Sequence, residues 1–179
     1  MMRHGNRLII ACGNSLRQDD GAGLQLANEL AGHWRSQGLL HRFIQVQQMA
    51  PEHALEIAST EVDEVWFVDC RVARDPTETA LHVRHLEVHE TSPAIGHQSS
   101  PEQLLIYARY LFDPRLPDVQ PEAWQITIPG YQFDHAEQLS ERCQQVLAQA
   151  VQHIRDGLVD GDLPDNGDVL IVPGGRTYA

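Results

Sequence analysis

Three aspartates stand where strands would end, and their spacing favours chemistry on a cation or a proton. Asp19 and Asp20 lie in a glycine-bearing loop that follows the apolar run 8–11, and Asp69 directly follows the apolar run 65–68. Carboxylates can bind a divalent metal, act as a general base or cap a helix. Helix capping explains one of the adjacent pair but hardly both, so the second acid is a candidate functional group.

Histidines supply the other candidate ligands. His97 follows Gly96 in a loop before a predicted helix; such a residue is either an idle surface side chain or a ligand. Two carboxylates and one imidazole form a common set for a divalent transition metal and leave coordination positions open. His82, His85 and His89 form a rival cluster, but strand periodicity would point His82 away from the other two.

Apolar runs and helical spacing predict the elements that position these residues. The pattern alternates strand and helix along most of the chain, which is typical of an α/β protein. The predicted strands are 7–12, 43–46, 65–68, 80–88 and 124–128. The predicted helices are 21–36, 51–58, 100–112 and 136–158.

This alternation predicts a three-layer α/β/α fold with a mostly parallel five-stranded sheet. The strand at 80–88 is expected at an edge and could run antiparallel. If the first strand lies between the second and third, their connections diverge to opposite faces and open a crevice at the carboxyl ends. Neighbouring strands lie about 4.8 Å apart, so the loop acids and Asp69 could share one ion.

Length and composition predict a single domain followed by a tail. Residues 1–158 carry the regular patterns, and a chain of 179 residues suits one such domain. In the range 159–179, Gly, Asp, Pro and Asn dominate, which predicts a loop or a disordered tail with at most a short extended piece at 169–172. Deleting 160–179 is therefore expected to leave the fold intact.

The charge balance limits the partners. A formal net charge of -12 repels nucleic acid and anionic membranes, so neither is expected to bind. The three cysteines are widely spaced and form no disulfide framework or CxxC motif. With no secretory leader or membrane-spanning run in view, the cytoplasm is the expected compartment.

The acidic loop resembles the opening signature of the [NiFe] hydrogenase maturation proteases. That signature is an apolar strand followed by Gly-Asn-x-Leu-x-x-Asp-(Asp/Glu)-Gly-x-Gly, and here it spans Gly13 to Gly23 without a gap. The resemblance covers roughly residues 7–155. Its further matching segments are Gln48–Glu52, Val65–Asp69, His97 with Ser100–Leu105, and Pro129–Ser140.

The resemblance implies an endopeptidase that removes the C-terminal extension of a nickel-loaded hydrogenase large-subunit precursor. It implies that Asp20 and Asp69 are both catalytic and metal-facing carboxylates, and that His97 is the third ligand. The nickel would come with the precursor rather than belong permanently to this chain. Some relatives place the histidine directly after Ser-Pro, where this chain has Glu102, so Glu102 is the alternative third ligand.

The chemical step and two other functions stay open at the level of sequence. The metal could polarise the scissile carbonyl or activate a water, or a carboxylate could act as the general base. A non-catalytic checkpoint protein could use the same crevice to bind the metallated precursor. A nucleotide-binding α/β protein is less favoured, because G-x-G-x-x-G spacing is absent and two acids would repel a pyrophosphate.

Overall fold

Seven strands and four helices make up the part of the chain that the computed structural model describes, which is residues 6–59, 61–88, 99–112, 120–157, 168–172 and 175–178. The strands are β1 (Arg7–Cys12), β2 (His41–Val46), β3 (Glu64–Val72), β4 (Leu81–His85), β5 (Glu122–Gly130), β6 (Asp168–Val172) and β7 (Gly175–Tyr178). The helices are α1 (Ala22–Ser36), α2 (Ala54–Ile57), α3 (Pro101–Leu111) and α4 (Glu141–Arg155), with 3₁₀ turns at Gln18–Gly21 and Pro51–His53.

One sheet joins all seven strands in the order β2-β1-β3-β5-β4-β6-β7. The first four in that order are parallel, and β4 runs antiparallel to β5. These five strands are the predicted ones, with the antiparallel strand β4 inside the range 80–88, so the mostly parallel three-layer fold class is confirmed. The edge position expected for this strand was wrong, because β6 and β7 continue the sheet beyond β4. β1 lies between β2 and β3, as the crevice argument required.

Two apolar cores cover the two faces of the sheet. One core joins alternate residues of β1 and β3 to α1 and α4, and includes Trp34 and Trp66. The other joins the intervening residues, such as Ile10 and Phe67, to α2 and α3. The connections that leave β1 and β2 therefore do pass to opposite faces, which confirms the three-layer arrangement.

Serine caps decide where two of the helices begin. The hydroxyl of Ser100 accepts the Gln103 N–H, and Pro101 follows at the first helical position, as the sequence predicted for α3. The hydroxyl of Ser140 likewise accepts the N–H of Cys143 at 3.2 Å. The predicted start of the last helix at 136 was therefore wrong, because α4 begins only after this cap.

The tail contributes structure that the sequence analysis assigned to a loop. β6 pairs antiparallel with β4, and β7 pairs antiparallel with β6. Ile171 of β6 is 2% exposed and belongs to the core shared with α1 and α4. The expected extended piece at 169–172 is confirmed, whereas the loop expected at 175–178 is corrected to a strand; the domain boundary at 158 stays a prediction.

The reason for this correction is packing rather than propensity. β4 would present an open edge to solvent if β6 were absent, and an unpaired edge leaves backbone donors and acceptors without partners. The pairing of β6 with β4 and the burial of Ile171 argue against the expectation that deleting residues 160–179 leaves the fold intact, and we expect the deletion to destabilise the protein. Among the residues that the structure describes, no helix is long and apolar enough to cross a membrane.

Replacement of Ile171 by alanine tests this contribution of the tail. We expect Ile171→Ala to lower the free energy of unfolding by about 2–4 kcal/mol, because it removes a buried aliphatic side chain. Leu40→Ala, at a position that is 73% exposed, should change it by no more than about 0.5 kcal/mol. Urea unfolding measures both, and equal stabilities for the two variants would contradict the packing of β6.

Candidate functional site

Asp20 is placed by a tight loop at the carboxyl end of β1. Gly13 has a φ of +153°, and a Cβ at this position would lie 2.3 Å from the Asp20 carbonyl oxygen, so only glycine fits. The next residue, Asn14, donates its backbone N–H to Asp20 Oδ2 at 2.8 Å. The Gly-Asn pair of the signature thus positions the second acid by shape and by one hydrogen bond.

Asp69 lies where β3 extends beyond the end of its pairing with β1. The pairing of these two strands ends at Ala11 and Val68, while β3 continues beside β5 as far as Val72. The side chain of Asp69 accepts the backbone N–H of Cys70 at 2.7 Å. It is therefore the first residue of β3 beyond the last paired residues of β1 and β3, next to Cys12 at the end of β1.

Close packing of α1 on β3 brings the two acids together. A Cβ on Gly23, in the first turn of α1, would lie 2.8 Å from the Asp69 carbonyl carbon. Burial, and secondarily the negative charge of Asp20, raise the pKa of Asp69 to about 6, although the Cys70 hydrogen bond opposes the shift. The effect of the Asp20 charge on Asp69 places the two side chains near each other.

Asp19 has a different role, although it is adjacent to Asp20. It is fully buried, and its carboxylate accepts the N–H and the hydroxyl of Ser140, both at 2.7 Å. It also accepts the backbone N–H groups of Tyr131 at 2.8 Å and Gln132 at 2.9 Å. Burial alone would raise the pKa of Asp19, but these hydrogen bonds together lower it below its ordinary value.

Neither acid of the pair caps α1. The residue that precedes α1 is Gly21, and no side-chain hydrogen bond caps this helix. The capping interpretation of Asp19 and Asp20 was therefore wrong. Asp19 instead binds Ser140, the cap residue of another helix, α4, and the carboxylate of Asp20 accepts the Asn14 N–H.

The backbone before Asp19 is held in an uncommon conformation. Gln18 has a φ of 44°, the left-handed region that non-glycine residues rarely adopt. Its N–H donates to the Ala136 carbonyl at 2.8 Å, and its side-chain Oε1 accepts the Asp134 N–H at 3.1 Å. These two contacts compensate the strain and tie the acidic loop to the segment before α4.

Of the two candidates for the third ligand, Glu102 is the one among the described residues. His97 lies outside the described residues. Glu102, its alternative, is in the first turn of α3, where its Oε1 accepts Arg84 Nη2 at 2.5 Å. The same arginine donates from Nε to Gln125 Oε1 at 2.7 Å, so Glu102 is engaged in a polar network of the sheet face.

The rival histidine cluster is not assembled within the described ranges. His82 lies 3.5 Å from a carboxylate oxygen of Glu78, and His85 packs edge-on against Trp124 at 4.8 Å. His89 lies outside the described residues. Over the parts of the chain with described positions, no group of three or more His, Cys, Asp or Glu side chains is placed to hold a metal.

Cys12 is a neighbour of the acidic pair that the sequence analysis did not assign to the site. Burial, together with the negative charges of Asp69 and Asp20, raises the pKa of its thiol to about 12. The thiol therefore stays protonated at neutral pH and is a poor nucleophile. The sequence did contain a signal that Cys12 lies near the site, because Cys12 directly precedes Gly13 at the end of β1.

Asn14 and Gly23 were also missed as positioning residues. Both belong to the signature, but their roles depend on contacts with Asp20 and with the backbone of Asp69. The signature indicates that these two residues are important. The atoms that they contact depend on how α1 packs on β3.

Comparisons with known proteins identify the fold. No protein-family model and no curated protein matches the sequence. Solved structures do match. The [NiFe] hydrogenase maturation protease HybD of Thermococcus kodakarensis is similar to this chain at 22% identity, with a TM-score of 0.55 and coverage of 86% of this chain and 98% of that one.

Two further structures have the same fold. The hydrogenase maturating endopeptidase HybD of Escherichia coli has 15% identity and a TM-score of 0.57, over 87% of this chain and 93% of its own. The [NiFe] hydrogenase maturation protease HycI of Thermococcus kodakarensis has 17% identity and a TM-score of 0.59, over 84% and 90%. At these identities the comparisons establish a shared fold.

The buried carboxylate of Asp19 can be tested through stability. We expect Asp19→Asn to lower the free energy of unfolding by about 3 kcal/mol at pH 7, because an amide presents a donor to N–H groups that need an acceptor. Since the pKa of Asp19 is lowered by folding, this contribution is present above the ordinary pKa of about 3.9 and is lost at lower pH. Urea unfolding of Asp19→Asn beside the exposed-site control Asp134→Asn measures it; equal effects would contradict the assignment.

Asp69 should behave in the opposite way. Its pKa of about 6 in the folded protein lies above the ordinary value of about 3.9, so ionisation costs stability as pH rises through that interval. We expect Asp69→Asn to be more stable than wild type by about 3 kcal/mol at pH 7.5 and nearly equal to it at pH 4. A difference that does not change with pH in urea unfolding would rule out this interpretation.

Proposed function

We propose that this protein is an endopeptidase that removes the C-terminal extension of a nickel-loaded [NiFe] hydrogenase large-subunit precursor. The observation that carries the proposal is that Asp69, near the carboxyl end of β3, lies close enough to Asp20, in the loop after β1, for the charge of Asp20 to raise its pKa. The signature Gly13–Gly23 and the fold shared with proteins named as maturation proteases support it.

The acidic pair suits contact with a metal that arrives as part of the substrate. The charges of Asp20 and Asp69 are close enough to oppose ionisation of Asp69, and a divalent cation between them would relieve that repulsion. A precursor that carries nickel would therefore bind more tightly than one without it. In this proposal nickel is recognised as cargo, and loading of the precursor is checked before cleavage.

We propose His97 rather than Glu102 as the third ligand. The carboxylate of Glu102 is paired with Arg84, and breaking that pair would add a cost to metal binding. Ser99, two positions after His97, donates its N–H to the Met49 carbonyl at 3.1 Å. Two residues before Met49, the Gln47 carbonyl accepts a hydrogen bond from the thiol of Cys12 at 3.7 Å, and Cys12 neighbours the acidic pair.

The carboxylates can also serve the hydrolytic step. At neutral pH Asp69 is largely ionised, and a pKa of about 6 gives it more basicity than an ordinary aspartate, as a general base needs. The raised pKa of Cys12 argues against a thiolate nucleophile. Water activated by Asp69, with the substrate's metal available to polarise it, is the mechanism that this arrangement favours.

The neutral variants Asp20→Asn and Asp69→Asn test the proposal. Each is expected to remain folded and to shorten a nickel-loaded precursor at least about 100-fold more slowly than wild type, because each loses a metal-facing charge or the base. Intact-mass spectrometry follows the loss of the C-terminal peptide, with nickel-free precursor as a substrate control and Asp134→Asn as a protein control.

The outcomes separate the alternatives. If the wild-type protein shortens the nickel-loaded precursor but not the nickel-free one, the result supports a metal-checking protease. Normal shortening by both variants would exclude the acidic pair from the reaction. A stable complex with the precursor, but no change in its mass with the wild-type protein, would instead favour the non-catalytic checkpoint.

A further inference from the structure

Three polar side chains form a row across β3, β5 and β4. The strand register places Asp69 of β3 opposite Thr127 of β5, and it places Thr127 opposite His82 of β4. Residues that lie opposite each other on neighbouring strands have their side chains on the same face of the sheet. We refer to Asp69, Thr127 and His82 as the polar row.

The polar row lies on the face of the sheet that carries α2 and α3. Ile126 and Ile128, which flank Thr127, belong to the core with α1 and α4, so alternation along the strand directs Thr127 to the other face. On that face Phe67, two residues before Asp69, is fully buried in the core with α2 and α3. All three members of the polar row are partly exposed. The closely covered part of this face therefore ends just before the row.

Thr127 has the hydroxyl that is open to a ligand. Every other residue from Ala123 to Gly130 is buried, and none of the described residues forms a hydrogen bond with the Thr127 hydroxyl. Gln125, one step earlier on the same face, is 9% exposed, and its Oε1 accepts Arg84 Nε at 2.7 Å. The covered polar side chain is thus paired within the protein, whereas the open one has its donor and acceptor available.

The charges near the polar row favour a neutral ligand over an anion. Arg71, two residues after Asp69, pairs with Glu78 at 2.8 Å, and Arg84 pairs with Glu102 at 2.5 Å. The carboxylate of Asp69 itself repels an anion. Hydroxyl and imidazole groups can both donate and accept hydrogen bonds, which complements the N–H and C=O groups of a peptide backbone.

The length of the polar row matches a short peptide segment. Neighbouring strands lie about 4.8 Å apart, so three strands span about 10 Å. An extended chain advances about 3.3 Å per residue, so about three residues cover that distance. A segment held at Asp69 can therefore reach His82 in an extended conformation.

We propose that the polar row binds the peptide segment that the enzyme cleaves, with a backbone group of that segment hydrogen-bonded to the Thr127 hydroxyl. This inference rests on the proposed function, in which Asp69 activates the attacking water. The segment crosses β3, β5 and β4. Thr127 holds it next to the carboxylate of Asp69, and His82 binds its far end.

Thr127→Val tests the inference in a shortening assay with nickel-loaded large-subunit precursor. The substitution removes the hydroxyl and keeps the β-branched shape. We expect kcat/KM to fall about fivefold to tenfold, because one neutral hydrogen bond to the substrate is lost, with a melting temperature close to wild type. Thr127→Ala should show the same loss, and Thr127→Ser, which keeps the hydroxyl, should retain most of the wild-type kcat/KM.

Thr79→Val is the matched control for this measurement. Thr79 is also partly exposed, but it lies beside Val146 and Ile171 on the face that α4 covers. It should leave kcat/KM unchanged. Equal kcat/KM values for Thr127→Val and Thr79→Val, with active wild-type enzyme, would overturn the inference while leaving the protease proposal intact. A loss of the same size in Thr127→Ser would also contradict a hydroxyl contact.

His82→Leu tests whether the segment reaches β4. We expect kcat/KM to fall about threefold or more, and His82→Gln, which keeps a donor and an acceptor, should stay closer to wild type. An unchanged kcat/KM in His82→Leu would rule out a segment that crosses to β4. A wild-type protein that shortens no precursor would overturn the proposed function and this inference together.

Discussion

The buried carboxylate of Asp19 is the interaction on which the site depends. It accepts four hydrogen bonds, one each from Tyr131 and Gln132 and two from Ser140, which caps α4. These hydrogen bonds attach the loop after β1 to a segment that lies more than a hundred residues later in the sequence. Without this anchor the following residue, Asp20, would lie in a loop free to move, and its orientation toward Asp69 would carry an entropic cost on every binding event.

Close approach of backbone segments supplies the second constraint. The sites of Gly13, Gly23 and Gly130 leave no room for a Cβ: at Gly130, an added Cβ would lie 2.6 Å from Cys70 Sγ and 2.9 Å from Asp19 Cβ. Glycine at these places lets the acidic loop, α1 and the end of β5 meet around Asp69. The anchor and the glycines act together, since the hydrogen bonds of Asp19 require the close approach that the glycines permit.

Adjacent acids in one loop therefore have opposite physical roles. Asp19 is buried among donors and is stabilised as an anion, with a lowered pKa. At Asp69, burial and secondarily the charge of Asp20 raise the pKa to about 6. The ionised carboxylate of Asp19 stabilises the folded protein, whereas the ionised carboxylate of Asp69 destabilises it. A ligand that neutralises the charge at such a site relieves the repulsion and so binds more tightly. A metal-bearing substrate is such a ligand.

The sequence by itself determined the five strands β1 to β5, the two covered faces of the sheet and the positions of Asp20 after β1 and of Asp69 near the carboxyl end of β3, because apolar periodicity specifies burial and strand order follows from the connections. Only the tertiary structure decided that Asp19 anchors rather than caps, that α4 begins at Glu141, and that residues after 167 add β6 and β7. These features depend on contacts between residues distant in the chain. Local patterns do not encode such contacts, since a carboxylate beside a helix start reads the same whether its donors lie in that helix or in another.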